Sequence, residues 1–344
     1  MTECRVWRII LLVVIWKTTA NANMNVAQIY SHDENRKPFE PNKYIYSWTG
    51  PNALARSALV ERQERLQYNC EFESSEVDIA ALNPESFKNI LVDDLHELLY
   101  CYVPKVACTN WKRVLMIATG KWTGNDPLEI PADQAHSPGT FQRLSNYTLP
   151  EIEKKLATYD KLIVVRHPLE RLLSAYRNKL ETKHEKSARY FQSRFGKKIV
   201  KFNTEFEFFT NFFKTLKKIF LTLNSQSVQK YRQNATEESL RNGNDVTFRE
   251  FVDFVTDDTE NGTRNEHWRP IYDLCQPCIV NYNLISKYES LVEDATEVLE
   301  RIGVTSVNFP ARPASSKPTS RKLDRYYSTL RTSVSGGIGE RARS

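Results

Sequence analysis

Residues Tyr102–Arg113, YVPKVACTNWKR, follow an apolar run at Leu98–Tyr100 and lead into a stretch with helical periodicity. Trp111, Val114, Leu115 and Ala118 fall at i, i+3, i+4 and i+7, which places them on one face of a helix. The order therefore predicts a strand, a short lysine-bearing turn and a helix. At such a turn the first backbone N–H groups of the helix lack intrahelical partners, and the helix dipole favours negative charge. Lys105 adds a mobile point charge, and Thr109 and Asn110 add short polar groups suited to a helix start. Pro104, Lys105, Val106, Ala107, Cys108, Thr109 and Asn110 thus read as a cradle for phosphate or sulfate. The turn contains no glycine, and G-x-x-x-x-G-K-[ST] is absent, so this is not a Walker A loop.

A second stretch, Lys161–Leu180 (KLIVVRHPLERLLSAYRNKL), has the same layout. Leu162–Val165 reads as a short, fully buried strand of the parallel type. Arg166 ends it, and Pro168 suits the first turn of a following helix. Leu169, Leu172, Leu173, Tyr176 and Leu180 form that helix's apolar stripe, with Arg171, Ser174 and Asn178 opposite. Arg166 and Ser174 are expected to converge on one anion. Taken singly, each stretch also fits an ordinary strand-to-helix loop with a solvated helix face. Both in order are harder to read that way.

Together the two stretches resemble the carbohydrate sulfotransferases. The similarity is to the chondroitin 4-O-sulfotransferase branch, carried by HELLYCYVPKVACTNWKRVL, RHPLERLLSAYRNK, NEHWRPIYDLCQPC and KYESLVEDA. It covers about Leu91–Lys201 and Lys230–Pro310. The resemblance implies an α/β fold, the three-layer sulfotransferase architecture related to P-loop kinases, with a central parallel sheet. It implies 3′-phosphoadenosine 5′-phosphosulfate as co-substrate, with no metal. The 104–110 turn would grip the 5′-phosphosulfate, and Arg166 with Ser174 the 3′-phosphate.

The 344 residues carry a net charge of +6, and 40% are apolar, enough for one large core or two small ones. The charge is too mild for a nucleic-acid binder, but it suits a polyanionic partner. Arg5 and Arg8 precede an apolar run, Ile9–Trp16, shorter than the roughly 20 residues of a membrane span. Ala20 and Ala22 offer a cleavage site, so a signal peptide is one reading of residues 1–23. The resemblance implies the other, a type II signal-anchor in the Golgi membrane with the rest of the chain in the lumen. Sequons at Asn146, Asn234 and Asn261 support the lumenal compartment. There Cys70, Cys101, Cys275 and Cys278 can form two disulfides of undetermined pairing, while Cys108 packs inside the anion turn. The Cys275–Cys278 spacing alone is weak evidence for zinc.

Residues 24–80 are polar and lack periodicity, which suits a stem, and the sulfotransferase domain is expected over 81–315. Within it, 202–229 is an atypical Phe-rich insertion, an artefact of the gene model or a surface addition. Residues 316–344 read as a divergent tail: up to about Leu330 the sequence is plausible, but 331–344 (RTSVSGGIGERARS) has no apolar periodicity, and the family's closing aromatic-rich helix and strand is expected to be missing there.

Sulfuryl transfer resembles phosphoryl transfer, so catalysis rests on positioning and electrostatics. Lys105 is expected to steady the leaving oxygen. The acceptor hydroxyl needs a general base, for which His136, between the two donor motifs, and His267, in NEHW, are the candidates. His96 reads as structural, and His167 as support for the 3′-phosphate. Arg177–Lys201 carries nine Lys/Arg and only Glu181 and Glu185 as acids, a solvated face or a groove for an anionic glycan. The expected reaction is sulfation of the 4-hydroxyl of N-acetylgalactosamine in chondroitin or dermatan. The alternatives are an impaired glycan-binding homologue, or a sulfotransferase acting on N-glycan N-acetylgalactosamine or glucuronate.

Overall fold

The computed structural model describes residues 52–71, 83–182, 186–202, 235–256, 264–311 and 319–331. The expected anchor or signal peptide, the sequons at Asn234 and Asn261, and insertion residues 203–229 lie outside them. The chain divides into two compact units, one of residues 1–168 with 269–315, the other of 169–268 with 316–344.

The first unit is α/β. Its five strands are β1 (Ile90–Asp93), β2 (Leu98–Cys101), β3 (Gln142–Arg143), β4 (Asp160–Val165) and β5 (Leu284–Lys287), in the order β3-β1-β2-β4-β5. β2, β4 and β5 are parallel, in the register Leu98↔Asp160 and Leu162↔Leu284, and β2 and β4 are the strands the apolar runs mark. At the other side of the sheet β1 runs antiparallel to both its neighbours, β2 and β3, so the sheet is mixed around its parallel part. Every residue of β1, β2 and β5 is buried, so both faces are covered, as a three-layer arrangement requires. The β1–β2 turn is set by Asp93, whose Oδ1 accepts from the N–H groups of Leu95 and His96 and whose Oδ2 meets His96 Nδ1 at 2.7 Å. His96 is thus a turn residue, as expected.

Part of the expected stem belongs to this unit. Ala53–Cys70 is a helix whose Leu59 and Leu66 join the core. It lacks an obvious apolar stripe because arginines do much of its docking. Arg56 bonds Glu297 and Arg62 bonds Asp294, both on the helix Leu291–Arg301. Two disulfides, Cys70–Cys278 and Cys101–Cys275, complete the unit. The CxxC cysteines therefore bond elsewhere and not to each other.

The second unit contains helices and no strand among its described residues, and aromatic rings fill its core. Tyr176 packs on Phe248 (5.2 Å between ring centroids), Phe251 on Trp268 (5.5 Å), and Phe248 on Tyr327 (5.0 Å). Tyr327 lies on the helix Leu323–Arg331, in the stretch read as a divergent tail. The departure expected from the sequence begins after Leu330, and residues 332–344 lie outside the described residues. The tyrosines of this helix face the core and Asp324 and Arg325 face out, a stripe too narrow to stand out beside the polar residues that follow. Phe202, the first insertion residue, also packs here, 5.7 Å from Phe254, so the unit extends at least one residue into the expected insertion.

Candidate functional site

The carboxyl ends of β2, β4 and β5 lie side by side, and the loops that leave them form the candidate site. After β2 the chain enters the lysine-bearing turn and then the helix Cys108–Ala118. The turn needs no glycine because two side-chain-bearing residues take left-handed backbone, Lys105 at φ 73° and Ala107 at φ 68°. Such conformations cost on the order of 1 kcal/mol or more each and concentrate at ligand sites. Val106 between them is fully buried and fixes the turn from below. Alternation of this kind aims successive N–H groups into one concavity, a backbone nest for an anion. Ala107 is the N-cap and has no side-chain acceptor, so it makes no side-chain cap bond. Trp111 is fully buried against Phe309, with ring centroids 5.0 Å apart, and is structural as expected. Cys108 is buried and outside both disulfides.

Arg166, at the end of β4, is only 5% exposed. Its Nη1 donates to the Lys105 carbonyl at 3.0 Å, and its guanidinium lies over the Tyr288 ring at 4.1 Å. It therefore braces the lysine turn as well as supplying positive charge. Next to it, the buried His167 donates its backbone N–H to Glu289 Oε1 at 3.2 Å.

Of the candidate bases, His136 belongs to this unit. Its Nε2 lies 2.9 Å from Thr109 Oγ1 and its Nδ1 3.3 Å from Lys112 Nζ, both on the helix that the turn opens. His267 lies in the other unit. Asn265 Oδ1 accepts the His267 backbone N–H at 3.0 Å and also meets the ring Nδ1 at 2.7 Å. An amide oxygen only accepts, so Nδ1 carries a proton, and in the neutral ring Nε2 holds the lone pair. The ring packs edge-on against Phe191 at 4.9 Å.

Ser174 is half-buried on the helix Pro168–Tyr176, within the second unit. On the same helix two residues depart from the expected faces. Arg171 is buried, with its Nη2 donating to the Glu266 carbonyl at 2.8 Å, while Leu169 is 42% exposed. A guanidinium can lie inside when a carbonyl meets it, and periodicity does not register that. Downstream, Lys186, Arg189, Arg194, Lys197, Lys198 and Lys201 are exposed, and Ala188, Phe191, Ile199 and Val200 are buried beneath them.

Sequence reasoning missed two residues beside β5. Asp294, 1% exposed, accepts from Arg62 Nη1 (2.6 Å), the Lys287 backbone N–H (2.8 Å) and Ser290 Oγ (3.0 Å), and so fixes the end of the strand. Lys287 itself is buried. Desolvation, then Arg62, pulls its ammonium below the usual lysine range, with Glu289 opposing. The KYESLVEDA stretch carried both residues, but their roles depend on a helix read as stem. Among the described residues, no group of His, Cys, Asp and Glu could hold a metal ion.

The sulfotransferase family model matches residues 88–338. Carbohydrate sulfotransferase 11 of Mus musculus is 39% identical over 252 residues, covering 72% of this chain and 63% of that protein. Carbohydrate sulfotransferase 14 of Homo sapiens is 37% identical over 241 residues, covering 70% and 54%. Carbohydrate sulfotransferase 9 of Homo sapiens is 35% identical over 242 residues, covering 69% and 47%. The match thus spans less than two thirds of these relatives' lengths. No solved structure matches the chain.

Proposed function

The chain belongs to the sulfotransferase family, and we propose that it moves sulfate from 3′-phosphoadenosine 5′-phosphosulfate to a carbohydrate hydroxyl. The observation that carries this reading is the left-handed turn at Lys105 and Ala107, braced by Arg166 at the carboxyl edge of the parallel strands. That nest, with a lysine on it and a buried arginine beneath, fits a phosphosulfate. The co-substrate supplies an activated sulfuryl group on a phosphate leaving group. Lys105 and the N–H groups from Val106 to Asn110 meet the charge that grows on the leaving oxygen as its bond to sulfur breaks. Arg166, with Ser174, holds the 3′-phosphate. For the base that takes the proton of the attacking hydroxyl we propose His267, whose Nδ1 faces Asn265 Oδ1.

For the acceptor we propose N-acetylgalactosamine 4-hydroxyls in chondroitin or dermatan, with the exposed cations of 186–201 meeting uronate and sulfate groups. Lumenal residence follows in the same proposal, as a Golgi type II membrane protein glycosylated at its sequons. The two disulfides support an oxidising compartment, and Asn146 is exposed. Among the described residues no helix is long and apolar enough to cross a membrane, and residues 1–23 lie outside them.

The test is transfer of radiolabelled sulfate to desulfated chondroitin, with disaccharide analysis of the product. Label at the 4-position of N-acetylgalactosamine is expected. Label on glucuronate, or only on N-glycan acceptors, would reassign the acceptor. Binding of chondroitin without any transfer would favour an impaired glycan-binding homologue.

A further inference from the structure

We infer that His136 is a hydrogen-bond relay that aims the Thr109 hydroxyl at the bound anion, with Lys112 as the residue that sets its direction. Lys112 Nζ lies 3.3 Å from His136 Nδ1, and His136 Nε2 lies 2.9 Å from Thr109 Oγ1. An ammonium has three donors and no acceptor, so Nδ1 must accept and hold a lone pair. The neutral ring then carries its proton on Nε2 and donates it to Thr109 Oγ1. That bond occupies a lone pair of the hydroxyl and leaves its hydrogen for a further acceptor. Thr109 is the second residue of the helix Cys108–Ala118, in the turn whose N–H groups form the anion nest. The chain of donors runs one way, from ammonium to imidazole to hydroxyl to anion, and each bond polarises the next.

Lys112 is built for this role. It is 7% exposed and sits 4.3 Å from the centroid of the Tyr102 ring, so packing and a cation–π contact hold it on the helix. An exposed lysine would leave either tautomer available to His136. The contrast with His267 is direct, since its Asn265 contact puts a proton on Nδ1 and, in the neutral ring, leaves the lone pair on Nε2. The two candidate bases thus have opposite tautomers, and in this geometry His136 presents a donor where a base needs an acceptor. His136, Lys112 and Thr109 are positioning residues for the leaving phosphate.

The inference rests on the reading of the 104–110 turn as the donor site, and the test separates the two. Calorimetric binding of 3′-phosphoadenosine 5′-phosphate would be compared in wild type, His136→Ala, His136→Gln, Lys112→Met and Lys105→Ala, with melting temperatures to confirm folding. A glutamine amide can accept from Lys112 and donate to Thr109. His136→Gln should therefore bind within about threefold of wild type, and His136→Ala about tenfold more weakly, the loss expected of one hydrogen bond to a charged group. Nitrogen-15 spectra of the histidine rings should show His136 protonated on Nε2 in wild type, with that preference reduced in Lys112→Met. Wild-type affinity in both His136 variants with weakened binding in Lys105→Ala would overturn the relay and leave the donor site standing. A rate collapse in both His136 variants at unchanged affinity would make His136 the base instead. An Nδ1–H tautomer in wild type would overturn the relay whatever the affinities. Failure of the wild type to bind the nucleotide would remove the donor-site reading and the relay with it.

Discussion

Lys105 and Arg166 differ in what their removal leaves behind. Lys105 is half-buried, and its backbone, not its side chain, is what Arg166 grips. Lys105→Ala should therefore fold with a melting temperature near wild type while transfer falls by about 100-fold or more, the loss typical of a donor aimed at developing charge. Retained activity in a labelled-sulfate assay would remove Lys105 from the mechanism. Arg166→Ala should do two things at once. It weakens binding of the donor and of its desulfated product alike, since both keep the 3′-phosphate. It also leaves the Lys105 carbonyl without this bond, at a stability cost of about 1–3 kcal/mol, measurable by denaturant unfolding. Arg166→Lys should rescue neither effect fully, because an ammonium cannot reproduce the planar stack on Tyr288. Residue type and spacing marked both positions as candidates for an anion, beside an ordinary strand-to-helix loop, and the family resemblance gave them their expected roles. The left-handed backbone at Lys105 and Ala107 was not legible, because a lysine and an alanine carry no sign of positive φ as a glycine does. Nor was the tautomer of either histidine, which depends on Lys112 and Asn265.

Elements were legible where apolar periodicity made them. β2, β4 and the helices that leave them follow directly from the runs at Leu98 and Leu162. The helix Ala53–Cys70 was hidden because ion pairs replace part of its apolar face, and Leu323–Arg331 because tyrosines do the packing. One close approach in the second unit was equally silent. Gly243, at φ 60°, caps the helix Glu237–Asn242, and a Cβ there would lie 2.2 Å from the Lys197 backbone nitrogen. A Cβ on Gly196 would in turn lie 2.0 Å from the Gly243 carbonyl oxygen. Both contacts involve backbone, which cannot swing away. Gly243→Ala is expected to cost about 2–4 kcal/mol, adding left-handed strain to overpacking. Thermal unfolding should show the loss, and a neutral result would mean that this contact opens without cost.

At the scale of the whole molecule, the covalent cross-links are unevenly placed. Cys70–Cys278 and Cys101–Cys275 both lie in the first unit, and they close sequence separations of 208 and 174 residues. Loops of that length make each cross-link worth about 2–5 kcal/mol, mainly through the unfolded chain. Cys101 is also the last residue of β2, so its bond anchors the strand from which the anion turn departs. The second unit has no disulfide among its described residues and depends on its aromatic core. Mild reduction should therefore act selectively. Hydrogen exchange in the presence of a thiol reductant is expected to accelerate in β1, β2 and β5, while Phe248–Thr256 keeps its protection. Donor binding should weaken along with the strands, because the nest is rooted in β2. Simultaneous loss of protection in both units would contradict this, since it would mean that they unfold as one cooperative body whose stability the cross-links share.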